Sequence, residues 1–347
     1  MTRLTRATAL LVAATALSGN AALARDLTVV SFGGALQDAQ REALFKPFIA
    51  QYGPLTDEAY NGELAKIKAM VEAGDVTWDV VQMEAPELEN ACSDGTVERL
   101  DWDKLGSTKD IIPAAVMGDC GLGSILYSVV LAYDHAKLGD DGPTTWADFW
   151  NTEKWPGKRG LRKSAKFTLE IALLADGVAP DEVYEVLGTP EGVDRAFAKL
   201  NEIKGNIQWW ESGAQPPQWL AAGDVVMSSA YNGRVSTAIK EGQDFRIVWD
   251  GQVYTVDGWA IIKGTPNLDS AYDFLKITVD PKNQAVLSTA IPYGTSNVNA
   301  PSLVSPEVLA WLPTAPDNMK GAVHQDDSFW IDNIEELNER FNNWASN

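Results

Sequence analysis

Two periodicities exchange places along the chain, and this constrains the fold more than any other feature. Short apolar, β-branched runs alternate with longer segments of helical spacing. Leu27–Phe32 (LTVVSF) is the first run and stops at Gly33-Gly34. Leu36, Ala39, Leu44, Phe45, Phe48 and Ile49 then favour one face of a helix over Ala35–Gln51. Further strands are expected at Asp79–Met83, Ile125–Tyr133, Val225–Ala230, Phe245–Trp249 and Gly258–Ile262. Helices are expected at Phe167–Ala175, Val193–Ile203, Pro217–Ala222, Ser270–Val279, Asn283–Thr289 and Ile331–Trp344. Such alternation implies βαβ units and parallel sheets, an α/β fold. With 347 residues the chain has the length of two domains. No linker rich in Pro, Gly or Ser divides it, and no fixed repeat occurs. Two lobes of interleaved segments are therefore expected, with Ile125–Tyr133 long enough to cross between them. A ligand would sit in the gap that the carboxyl ends of the strands face.

Met1–Ala24 has the three zones of a secretory signal peptide. Arg3 and Arg6 are followed by the apolar core Ala7–Leu17 and the small-x-small site Ala22-Leu23-Ala24. The core is too short to anchor in a bilayer, so an exported protein is expected, with Arg25 first after cleavage. Export bears on Cys92 and Cys120. An even count in an oxidising compartment suggests a disulfide. The competing readings are two free buried thiols or a metal pair, and neither cysteine has a Cys or His neighbour in sequence to complete a metal site.

Several function classes lose support. A net charge of −20 argues against a nucleic-acid partner, which needs a basic surface. His135 and His324, the two histidines, sit in no zinc-binding pattern and read as surface or structural residues. Neither a GxSxG elbow nor a GxxxxGK[ST] loop occurs. The glycines 118, 121 and 123 precede a strand instead of following one and read as a turn. No catalytic residue, cofactor or metal is expected. Thirteen tryptophans exceed what core packing needs. Trp209 and Trp210 are adjacent, so in an extended segment one packs inward while the other can line a cleft. Aromatic faces attract amines, although core packing serves any single tryptophan equally well.

An ordered set of short motifs carries a family resemblance. Phe32-Gly33-Gly34 follows the first strand; Thr145-Trp146-Ala147-Asp148-Phe149-Trp150 precedes Pro156-Gly157-Lys158. Ala222-Gly223-Asp224-Val225 leads to Tyr231-Asn232-Gly233-Arg234, then Val256-Asp257-Gly258-Trp259-Ala260-Ile261 and Ile291-Pro292-Tyr293-Gly294. In this order the chain resembles the spermidine/putrescine-binding family among the periplasmic substrate-binding proteins of ABC importers. The resemblance implies the two-lobe type II binding-protein fold, with residues 25–129 and 259–296 in lobe one and 130–258 and 297–347 in lobe two. It also implies a small amine ligand, lobe closure, delivery to an ABC permease in the inner membrane, a monomer, and no catalysis.

The resemblance further implies that Asp257 holds the amine between Tyr231 and Tyr293, with Phe32 and Glu84 at the pocket edge. Tyr127, Trp210 and Gln325 complete the expected ligand set. Structural roles compete for each: Asp257 as a turn cap, the tyrosines as packing residues, Glu84 as a solvated carboxylate. Two departures stand out. The stretch Arg159–Phe167 is basic where polyamine binders carry acids, and Arg234 stands where a small residue is usual. A guanidinium fork suits a carboxylate, so Asp257 and Arg234 suggest a zwitterion such as an ω-amino acid over a polyamine. The competing reading makes Arg162, Lys163 and Lys166 a solvated face and turns Arg234 outward. A sensor of the same ligand, or a secreted enzyme on the same fold, are the alternative functions.

Overall fold

The computed structural model describes residues 25–106 and 108–346, so the expected signal peptide lies outside the described residues. The strands in chain order are β1 Leu27–Ser31, β2 Leu55–Ala59, β3 Val80–Glu84, β4 Val116–Met117, β5 Gly121–Asp134 and β6 Arg159–Arg162. β7 Ile207–Trp210, β8 Met227–Tyr231, β9 Phe245–Ile261, β10 Gly294–Thr295 and β11 Val323–His324 follow. They form one sheet in the order β2-β1-β3-β9-β5-β8-β6-β7, with β4 and β10 joined to β5 and β11 to β9. At one end β1 lies parallel to β2 and β3. At the other, β6 lies parallel to β7 and β8. Parallel neighbours need crossover connections, which explains the helical segments between the runs. The centre is antiparallel: β9 pairs with β3 and β5, and β5 with β8. The long strands β5 and β9 thus belong to both parallel halves.

The helix after β1 is continuous from Gly34 to Tyr52 but contains a π-turn at Arg41–Phe45. Pro47 has no N–H to continue the ladder, and the Lys46 N–H reaches back five residues to the Arg41 carbonyl. Phe48 of this helix meets Phe274 of the helix Leu268–Val279, and Phe274 meets Trp259 of β9, with ring centroids 5.8 and 5.3 Å apart. In the other half the helix Ala165–Ala175 packs against Pro190–Ile203, whose Val193, Ala196, Phe197 and Leu200 are buried.

Two expectations change. Phe245–Trp249 and Gly258–Ile262 are not separate strands; Phe245–Trp249 and Gly258–Ile261 lie in β9 together with the residues between them, and Ile262 forms an isolated bridge to Val97 just past its end. Around Asp250-Gly251 the pairing is irregular: Val129 pairs with Val253 but Leu131 with Val248, so extra residues of β9 bulge out. There the Gly251 carbonyl accepts from Trp146 Nε1 at 2.8 Å. The glycine stretch is only partly a turn, because Gly121 and Gly123 lie inside β5. A Cβ on Gly123 would lie 2.4 Å from that of Ala115, so close packing explains these glycines. A second register shift falls between Gly123 and Ile125.

Cys92, in the helix Ala85–Ser93, is bonded to Cys120 just before β5, with Cα atoms 5.8 Å apart. The expected disulfide is thus present. It closes a loop with a sequence separation of 28 residues, for which the chain-entropy model gives roughly 3–4 kcal/mol. Reduction should lower the melting temperature accordingly. Scans with and without reductant, paired with thiol titration, check this; two titratable thiols with no shift would contradict it.

Candidate ligand-binding site

The ends of the parallel strands position the site. Phe32 follows β1, Glu84 ends β3, Arg162 ends β6 and Tyr231 ends β8, and all four line one cavity. An open α/β sheet leaves its ligand crevice at these carboxyl ends. Ile125 and Tyr127 of β5 and Asp257 of β9 line it from the middle of the crossing strands, where Ile125 and Asp257 are register partners. Arg234, Tyr293, Asn61 and Glu211 also line the cavity, which holds about 470 Å³ of atom-free space, part of it open to solvent.

Gly33 and Gly34 take φ values of +63° and +56°, which favour glycine. The tight turn exposes the carbonyls of Phe32 and Gly33, which accept from Arg234 Nη2 and Nη1 at 3.0 and 2.9 Å. A Cβ on Gly34 would lie 2.6 Å from Nη1. Arg234 is therefore buried and faces inward. Its fork braces the tip of β1, and Nε alone lacks a partner.

Glu84 is the ionic centre of the site. Its carboxylate lies 3.0 Å from Arg162 Nη2 and 2.6 Å from Lys166 Nζ. The Lys166 ammonium also lies 2.5 Å from Glu87 and is 1% exposed. The Tyr231 hydroxyl donates to Glu84 at 3.3 Å. Burial pushes the Glu84 carboxyl up, but Arg162 and Lys166 outweigh it and hold the group down to about 2. Lys166 reaches this position through a distorted helix start. Lys166 has ψ 134°, and Phe167 has φ +69°, alone among the described non-glycine residues in being positive. A bulky residue there is strained.

Asp257 has the opposite environment. It is buried, and among the described residues no Lys or Arg forms an ion pair with it. Gln82 Nε2 approaches Oδ2 at 3.4 Å, and Oδ1 has no partner. Burial first, and the neighbouring Glu84 charge second, push its carboxyl well above the usual carboxylate range. The Tyr127 hydroxyl likewise lacks a partner. Its ring stands edge-on to Tyr231 and Tyr293, with centroids 5.5 and 6.4 Å away.

The cavity thus brings together Phe32, Glu84, Tyr127, Tyr231, Arg234, Asp257 and Tyr293 of the sequence-derived set. Two members lie elsewhere. Trp210 is fully buried behind Tyr231 and donates to Ser229 Oγ at 3.0 Å. Its neighbour Trp209 packs on Phe341 and Trp344, so the C-terminal helix covers the face that could have opened on a cleft. Gln325 is buried and donates to Asp327 at 2.7 Å. Tyrosines, not tryptophans, form the aromatic wall. The basic stretch is not a uniform solvated face. Lys163 is exposed on Glu211, while Arg162 and Lys166 point into the ionic cluster. Sequence reasoning missed Arg162, because β6, whose end it occupies, has no strand pattern of its own.

Comparisons with known proteins give the family and the fold. The family described as bacterial extracellular solute-binding protein matches residues 54–315. A gamma-aminobutyric acid-binding protein of Pseudomonas aeruginosa is 52% identical over 94% of this chain and 92% of its own. The spermidine/putrescine-binding periplasmic protein 1 of Haemophilus influenzae is more distant, 27% identical over 76% of this chain and 73% of its own. Among solved structures, PBP MotA of A. tumefaciens B6 in complex with glucopine superposes with a TM-score of 0.87 at 34% identity, covering 92% of this chain and all of its own. The fold is the two-lobe type II solute-binding architecture, while likeness to the polyamine binders is remote.

The two carboxyls should affect stability in opposite senses. Glu84 is depressed from 4.5 to about 2, so its stabilisation is present above pH 4.5 and lost as pH falls through 2. That difference is worth about 3 kcal/mol, and Glu84→Gln should remove this part of the acid-unfolding profile. Asp257 is raised, so its contribution is present at low pH and lost as pH rises through the elevated value. Asp257→Asn should therefore raise the neutral-pH melting temperature of the ligand-free protein. A lower one would contradict the account of Asp257 as an uncompensated buried acid.

Proposed function

The chain belongs to the family of bacterial extracellular solute-binding proteins, and on that premise we propose that it delivers an ω-amino acid such as γ-aminobutyrate to its ABC importer. One observation carries the choice of ligand: the cavity presents both an unpartnered buried acceptor, Asp257 Oδ1, and an unpartnered buried donor, Arg234 Nε. Buried polar groups without partners cost free energy until a ligand satisfies them. An ammonium at Asp257 and a carboxylate toward Arg234 satisfy both groups with one molecule. The tyrosine rings then flank the alkyl chain and the ammonium. A diamine would satisfy Asp257 and bring its second cation to a cavity already lined by Arg162 and Arg234. The 52% identical relative named for gamma-aminobutyric acid supports the same reading.

In this account residues 25–129 with 259–296 form one lobe, and 130–258 with 297–347 form the other. Glu84 and Glu87 then meet Arg162 and Lys166 across the cleft, and Arg234 grips the tip of β1 from the opposite side. Closure on the solute brings these groups together, and the closed periplasmic form is the one delivered to the permease.

Calorimetric titration of the purified protein with γ-aminobutyrate, putrescine and spermidine tests the proposal. Saturable binding of γ-aminobutyrate alone is expected. Asp257→Asn should weaken it by about 2 kcal/mol or more, because the ammonium loses its charged partner. Binding of the diamine or polyamine with no response to γ-aminobutyrate would overturn the assignment.

A further inference from the structure

Glu84 and Asp257 are direct partners across the antiparallel β3–β9 pair. Such partners carry side chains on one face, with Cβ atoms about 4.5–5.5 Å apart. Both line the cavity. Two neighbouring carboxylates form a receptor for two ammonium groups. Only one of them is open to a ligand. Glu84 accepts Lys166 Nζ at 2.6 Å and Arg162 at 3.0 Å, whereas Asp257 has no cationic partner among the described residues. Lys166 Nζ bridges Glu84 and Glu87 and is 1% exposed.

We propose that Lys166 is a resident ammonium, seated where the second amine of a diamine would bind, and that it restricts the cavity to solutes with a single amine. The inference rests on the reading above that the cavity takes an amine-bearing solute. An ammonium tethered to the chain competes at high effective concentration, so a free diamine must displace a group that cannot diffuse away. The fold accepts a strained backbone at Phe167 in placing this ammonium beside the cavity. A purely structural lysine would explain the burial but would have no bearing on which solutes bind.

Lys166→Ala removes the ammonium and opens the space of its stem. Titration of this variant and the parent with putrescine and γ-aminobutyrate should show the affinity ratio moving toward putrescine by at least about tenfold, or about 1.4 kcal/mol. The variant leaves Glu84 and Glu87 short of a cation and could fold poorly, so a second measurement accompanies it. Excess n-propylammonium chloride should raise the melting temperature of Lys166→Ala by more than that of the parent, where only Asp257 is open to it, while tetramethylammonium chloride at equal ionic strength shows no such difference. Absence of both the putrescine gain and the propylammonium effect overturns the proposal. A parent that binds no ω-amino acid would instead overturn the functional reading, and the alkylammonium comparison would still report whether Lys166 fills an amine position.

Discussion

The Glu84 carboxylate can be buried because two cations from the opposite half of the sheet reach it. Withdrawing an ion from water costs several kcal/mol, repaid only by close and well-directed partners. Arg162 stands at the end of β6 and Lys166 four residues further on, whereas Glu84 ends β3. The partners therefore come from distant parts of the chain, and in the proposed closure they meet only when the lobes approach. A contact of this kind couples the electrostatics of the site to the relative placement of the lobes. Separation would return a carboxylate and two cations to solvent together, which keeps the open form from being prohibitively costly.

The same sheet also creates the asymmetry of the cavity. Cross-strand pairing places Asp257 beside Glu84, yet the cations approach from one side and satisfy Glu84 first. Among the described residues, Asp257 is left as a buried acid without a counter-charge. Fold alone does not select a solute: a structure with the same architecture at 34% identity holds glucopine. On our proposal, the selection lies in how many carboxylates the protein's own cations have already neutralised.

Much of the layout was legible in the sequence because two physical periods write it there. Leu27–Ser31, the helix after Gly33-Gly34, and the long run within β5 follow from apolar spacing and breakers alone. Amphipathic Pro190–Ile203 was equally plain from its Val193–Ile203 core. β2 and β6 were missed: β2 is a half-exposed edge with polar residues, and β6 reads Arg-Gly-Leu-Arg. Their stability comes from neighbours in the sheet, which no local pattern records. Within the site, Asp257, Tyr231 and Tyr293 stood in recognisable motifs. Arg162 and Lys166 did not, because a basic stretch normally signals a wet surface, and the strained turn at Phe167 that redirects Lys166 has no signature in composition. Trp210 misled for a related reason. Its strand has two covered faces, and the helix that covers one of them begins more than a hundred residues later.

The paired strands β5 and β9 carry hydrogen bonds through both halves of the molecule, interrupted in register between Gly123 and Ile125 and between Val129 and Leu131. A continuous ladder resists shear, since sliding would break several bonds at once. Torsional compliance is concentrated where the ladder is already broken. The two bulges bracket the stretch that carries Tyr127 and the Asp257 pairing, so the binding groups ride on a stiff ribbon between two soft points. Opening would then be a twist of the lobes about that ribbon, and the spacing of Asp257 and Tyr127 would be conserved throughout. The amine end of the site would remain assembled while empty, and a solute could dock there before the second lobe arrives.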